Sequence, residues 1–260
     1  MIMPLYDDNS KRVRVPFVNY ILIAINIFVF VMFQNFGENE RFIYTFSAVP
    51  EEIISGKDIQ SGPTVLGKKP SGEEIIRPGL EPTPFTVYIT LITSMFMHAG
   101  VGHILGNMLF LWIFGDNVED RLGHLQYLVF YMIAGVLASL AHVATCVLLK
   151  SDLLTPSLGA SGAISGVMGA YLLFFPNNSV TVLIFRFIAT VPAMVAVGLW
   201  FAMQLFSSFM ELVAGEGGGV AYGAHIGGFI AGLPLAYFIN KAFGDGKQNA
   251  SWVEAPNIEG

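Results

Sequence analysis

Six uncharged, apolar runs divide the chain, at about 16–34, 93–115, 125–149, 159–175, 190–210 and 220–240. Each reaches or approaches the ~20 apolar residues that carry a helix across a bilayer. In lipid only a chain that satisfies its own backbone hydrogen bonds survives, so the runs are expected to be helices. The pattern predicts an all-α polytopic membrane protein, a bundle of six transmembrane helices over residues 16–242. The fourth run, SLGASGAISGVMGAYLLFF, is the shortest and is rich in Gly, Ala and Ser. Small side chains let helix backbones approach closely, so this helix is expected at the centre. Residues 35–92, rich in Pro, Gly and charge, are too polar to cross and form an extramembrane loop, partly structured at best. Residues 1–15 and 243–260 flank the core as a polar N-terminus and a tail. No repeat or second domain is visible, and 1–260 reads as one membrane domain.

Composition sharpens this picture. Residues of the AVILMFWYC types make up 54% of the chain and charged residues 12%, with a mean hydropathy of +0.62. Thirteen Lys+Arg against 19 Asp+Glu give a net charge of −6 and no basic stripe, which excludes a nucleic-acid partner. A lone cysteine, Cys146, precludes an internal disulfide and a multi-cysteine metal site. No H-E-x-x-H motif is present, so neither metal nor cofactor is expected. With six spans both ends share a side, and that side collects Lys11, Arg12, Arg14, Arg121, Arg186, Lys241 and Lys247. The positive-inside rule then places both termini in the cytoplasm, with the second, fourth and sixth spans running inward. Neither a cleavable signal nor an organelle presequence is legible, and a prokaryotic cytoplasmic membrane is the expected location.

The acidic residues after Glu81, among them Asp116, Glu119 and Asp120, fall in connections or at span ends, so the bundle interior is expected to hold no carboxylate. That disfavours cation-coupled transport. What remains for chemistry is Ser161 in GASG, His225 in AHIGG, and His98, His103 and Asn107 in HAGVGHILGN. Each group opens an inward-running span, so all are expected at one depth, just below the outer surface. Gly162, Gly166 and Ala170 form a small-residue stripe on the fourth helix, and Ala224, Gly228 and Gly232 form one on the sixth. Parallel docking of the stripes would bring the Ser161 hydroxyl to the His225 imidazole. A serine needs an adjacent base to become a nucleophile, and histidine titrates in the right range. No Asp is at hand to orient it, so the unit reads as a dyad. His103 and Asn107, four apart on one helix face, together with the Ser161 backbone N–H, can serve a developing oxyanion. Gly159 and Gly162 flank the serine, and His98 is placed in the loop above the site. Taken singly, Ser161 reads equally as helix packing and His103 and Asn107 as interhelical hydrogen-bonding groups. His142 and Cys146 read as packing on the third span.

GASG, A-H-x-x-G-x-x-x-G and H-x4-H-x3-N, in this order on six spans, resemble the rhomboid family of intramembrane serine proteases, and the likeness covers most of residues 16–242. The resemblance implies Ser161 as nucleophile, His225 as general base and then acid, and His103 and Asn107 as oxyanion donors. It also implies that Glu119 and Arg121 in GDNVEDRLG belong to the structural turn after the second span. Four residues past the serine, where rhomboids often carry an aromatic on which the histidine rests, this chain has Ser165.

The reading is a serine endopeptidase that cleaves transmembrane segments of other membrane proteins through an acyl-enzyme. Its substrates would be single-span proteins with helix-weakening residues at the scissile bond, since a helical backbone hides its carbonyls. A non-proteolytic rhomboid-like binder of membrane clients and a small transporter are the alternatives. Substrate is expected to arrive sideways past the fifth span, bulky at Trp200, Phe201, Met203, Leu205 and Phe206, with Gly215–Gly219 as a hinge.

Overall fold

The computed structural model describes residues 2–68, 71–184, 186–214 and 221–244. The Gly215–Gly219 connection, Lys247 and most of the 243–260 tail lie outside the described residues. Each of the six apolar runs contains one principal helix: α1 Phe17–Met32, α2 Val101–Leu122, α3 His124–Leu149, α4 Ser161–Phe174, α5 Ala193–Ala214 and α6 Tyr222–Phe243. Among the described residues three segments are long and apolar enough to cross a bilayer, His124–Leu149, Ala193–Met210 and Tyr222–Phe243. A fourth is added if Val87–Phe96 and α2, bent by 80° at their break, form one broken span. Two shorter apolar helices complete the set: α1 has 16 residues and α4 has 14, about 24 and 21 Å at ~1.5 Å per residue. The full count of six therefore exceeds what length and composition alone establish.

α4 is the hub. Every residue from Gly162 to Tyr171 is buried. The helix ends at Phe174, two residues before Pro176, which disfavours helical geometry in the residue preceding it. Its glycine face meets α6 in parallel: a Cβ on Gly228 would lie 2.2 Å from the Gly162 carbonyl oxygen, and one on Gly232 2.4 Å from that of Gly166. Hydrogen is the only substituent that fits there, and it brings the two backbones into contact.

Two features go beyond the all-helical expectation. A three-stranded antiparallel sheet, in the order β1-β4-β5, is built from β1 (Ile2–Asp7), β4 (Ser179–Ile184) and β5 (Phe187–Pro192). Its register pairs Ile2 with Ile184 and Asp7 with Val180. β4 and β5 join α4 to α5, so residues 190–192 belong to a strand rather than to the start of the fifth helix. In the 35–92 loop, short helices Glu40–Phe46 and Pro50–Ser55 are followed by a hairpin of β2 (Thr64–Lys68) and β3 (Glu74–Arg77).

The expectation of a carboxylate-free bundle does not hold. α2 runs to Leu122, seven residues past the predicted end of its run, and Asp116, Glu119 and Asp120 are buried inside it. They are tolerated because each has a partner. Glu119 accepts the N–H groups of Val18 and Asn19 at 3.0 and 2.7 Å, capping orphan donors in the first turn of α1, and meets His124 Nδ1 at 2.5 Å. Asp120 accepts the N–H groups of Val13 and Arg14. Asp116 pairs with Arg12. Asp7, also buried, accepts from Asn117 on α2 at 2.7 Å and from the Tyr171 hydroxyl on α4 at 2.6 Å. The segment ahead of α1 is thereby tied to two helices and a strand.

Candidate active site

At the start of α4 the backbone turns through Gly159, whose φ of +129° suits glycine and few other residues. A Cβ there would sit 2.9 Å from the His103 ring, so the missing side chain is what lets that imidazole lie beside the serine loop. Ser161 follows as the first residue of α4. Across the glycine contact, His225 lies in the first turn of α6, and its Nε2 is 2.7 Å from Ser161 Oγ. These two residues, 64 apart in sequence, form a direct hydrogen bond.

His103 and Asn107 lie in the first two turns of α2 and line the same cavity as the serine and histidine. His103 Nδ1 accepts the Ala99 N–H at 3.2 Å. With its lone pair so engaged, a neutral ring carries its proton on Nε2, the nitrogen next to Gly159. Asn107 is buried, and its amide nitrogen has no hydrogen-bond partner. Two donors therefore border the cavity, one of them without an acceptor. The cavity measures about 660 Å³, and Phe110, Met168 and Trp200 supply much of its apolar wall. No carboxylate lines it among the described residues.

His98 does not enter the cavity. It is fully buried, its backbone N–H and C=O are clamped by the Gln34 side chain at 2.9 Å each, and its ring packs edge-on against His103 with centroids 5.2 Å apart. Gly162 faces Ala138 and Ala224, setting helix spacing. Ser165 lines the cavity too, donates its hydroxyl to the Ser161 carbonyl at 2.7 Å within α4 and has no ring on which His225 could rest.

What surrounds His225 instead escaped the sequence reading. Gln204 of α5 places Oε1 2.9 Å from His225 Nδ1. The rings of Trp200 and Tyr222 lie 6.3 and 6.2 Å from the imidazole. A signal for Gln204 existed: a polar residue in an apolar membrane run is a functional suspect. His142, read as packing, also lines the cavity. α5 stacks Phe201 on Phe229 of α6 with ring centroids 4.3 Å apart, and the ring of its Trp200 lies 6.4 Å from that of Phe110 on α2.

Comparison with known proteins finds relatives of this chain. The family model described as "Rhomboid domain" matches residues 86–242, more than half of the chain. Rhomboid protein 1, mitochondrial, of Saccharomyces cerevisiae is 33% identical over 164 residues, covering 60% of this chain and 43% of its own. RHOMBOID-like protein 6, mitochondrial, of Arabidopsis thaliana is 30% identical over 156 residues, 57% of this chain and 43% of its own. Rhomboid protease GluP of Bacillus subtilis is 33% identical over 157 residues, 59% of this chain and 27% of its own. The chain thus spans less than half the length of these curated relatives.

Proposed function

The chain belongs to the rhomboid family of membrane proteins, and from that premise we propose that it is an intramembrane serine endopeptidase working through a Ser161–His225 dyad. The observation that carries the reading is the 2.7 Å contact between Ser161 Oγ and His225 Nε2 in the lining of a cavity of about 660 Å³. His225 Nε2 takes the hydroxyl proton as Oγ attacks the scissile carbonyl. The negative charge then gathers on the former carbonyl oxygen, where the Asn107 amide, His103 Nε2–H and the Ser161 N–H at the start of α4 can donate to it. The tetrahedral adduct collapses as the imidazolium hands its proton to the departing amine, leaving an ester on Ser161. Water, deprotonated by the same imidazole, then hydrolyses the ester.

Substrates in this proposal are single-span proteins whose helix is weakened near the cleaved bond, because an intact helix keeps its carbonyls bonded. Six crossings, cytoplasmic termini and an outward-facing site complete the proposal, on the distribution of Lys and Arg. The named relatives divide between mitochondrial proteins and a bacterial one and choose neither membrane for this chain.

The test is turnover of a membrane-embedded substrate by purified protein. Ser161→Ala and His225→Ala are each expected to abolish it, because the members of such a unit fail together. A fluorophosphonate probe should label the wild type and not Ser161→Ala. Turnover retained by either variant refutes the mechanism.

A further inference from the structure

We propose that Gln204 is a positioning residue for the reaction: its Oε1 accepts the His225 Nδ1–H, and the dyad is aligned only while α5 holds that bond. This deepens the Ser161–His225 reading and rests on it. A neutral imidazole has one N–H and one lone pair. For His225 to take the serine proton, the lone pair must lie on Nε2, the nitrogen 2.7 Å from Ser161 Oγ, so the proton must lie on Nδ1. An amide oxygen 2.9 Å from Nδ1 stabilises that tautomer and fixes the ring plane. A carboxylate does this in a Ser-His-Asp triad. Here no carboxylate lines the cavity among the described residues, and the other titratable groups along it, His103 and His142, are not bonded to Nδ1.

The third group comes from a different place than the first two. Ser161 and His225 are locked together by the glycine contact of α4 and α6, whereas Gln204 rides on α5. Movement of α5 away from α6 separates Oε1 from Nδ1 and frees the ring to rotate or to change tautomer. A displaced α5 leaves nucleophile and base adjacent but the base without its orienting partner. The aromatic contacts of Trp200 with Phe110 and Phe229 then matter to catalysis as well as to packing, since they hold the turn that presents Gln204.

Gln204→Met keeps the length and removes the acceptor. Loss of a partner that orients a functional histidine typically costs about 10–100-fold in activity. We expect that loss in kcat, with KM unchanged, equally for a membrane-embedded substrate and for a small soluble ester that needs no lateral path. Gln204→Glu, which restores an oxygen at the same reach, should recover most of the rate, and Gln204→Asn, one methylene short, should not. In protein labelled with 15N-histidine, the wild type should hold His225 as the Nδ1–H tautomer and Gln204→Met should not. A loss confined to the membrane-embedded substrate would assign Gln204 to packing and overturn the proposal. So would unchanged kcat in Gln204→Met, or a wild-type spectrum with the proton on Nε2. That spectrum decides the matter even if the substitution impairs folding. The two readings fail separately: an inactive Ser161→Ala beside a fully active Gln204→Met removes only this inference, and an active Ser161→Ala removes the dyad itself.

Discussion

Gly228→Ala adds one methyl group at the tightest point between α4 and α6. Its carbon would fall 2.2 Å from the Gly162 carbonyl oxygen and 3.1 Å from Ala138 Cβ. Non-bonded carbons rest near ~3.5 Å, so the backbones must part by about 1 Å. Gly162 adjoins the nucleophile, and Gly228 lies one turn beyond the base. The same displacement stretches the 2.7 Å contact between Ser161 and His225 past hydrogen-bonding range. Overpacking of this kind costs about 1–3 kcal/mol, and a misplacement near 1 Å costs about 10²-fold in rate. The assay is turnover per folded molecule in reconstituted liposomes, well below the measured Tm, alongside the rate of fluorophosphonate labelling. Both rates should fall about 10²-fold, although no catalytic group is altered and the protein remains folded. A lower Tm with unchanged turnover per folded molecule would refute the reasoning, since the glycine contact would then set stability without setting the distance.

Asn107→Ala should lower kcat by about 10²–10³ with KM little changed, as expected when one oxyanion donor is lost; a steady-state titration with the serine intact checks it. Burial pushes the Asp7 carboxyl up to about 6 from its ordinary 3.8, against the hydrogen bonds from Tyr171 and Asn117 that lower it. Its neutral form is thus favoured on folding, and that stabilisation is complete below pH 4 and lost as the pH rises through 6. The Tm of the wild type relative to Asp7→Asn should therefore climb as the pH drops from 7 to 5, by an amount worth roughly 1.4 kcal/mol per pH unit at most, and a flat difference would contradict it. Joining the outer halves of α2 and α5 through a pair of introduced cysteines outside the cavity lining, with a short cleavable linker, should stop hydrolysis of membrane-embedded substrates and spare soluble esters, with reductant restoring the former. Equal rates before and after linking would place the substrate path elsewhere.

How much of this was legible depended on what each element rests on. Six apolar runs located six helices because each run alone must satisfy its backbone in lipid, and the glycine and alanine spacing in two of them marked the faces that meet. The end of α2 was misread because Asp116, Glu119, Asp120 and Arg121 look like a connection when their partners are unseen. Three of those carboxylates answer groups between Arg12 and Asn19, about 100 positions earlier. The sheet was missed for a related reason: β1 is short, contains Pro4 and is paired only through β4. The β-branched run SVTVLI did carry a strand signal. Ser161, His225, His103 and Asn107 were singled out by residue type and depth, and all four line one cavity. Gln204 was visible only as a polar residue in an apolar run; that it meets His225 depends on how α5 packs on α6, which no periodicity encodes.

The pairing of β1 with β4 sets an order on biosynthesis. Residues 2–7 leave the ribosome well before their partners, which end at Ile184. At about 5–20 residues per second, the strand waits on the order of 10–30 s for its neighbour. For the first part of that interval α1 also lacks Glu119, the carboxylate that satisfies its leading amides. The segment is therefore made before its partners and fastened after them, and its closure reports that α2, α4 and the β4–β5 hairpin have all arrived. A nascent chain stalled before residue 179 would hold its serine and four of its principal helices while residues 2–7 still lack their strand partner.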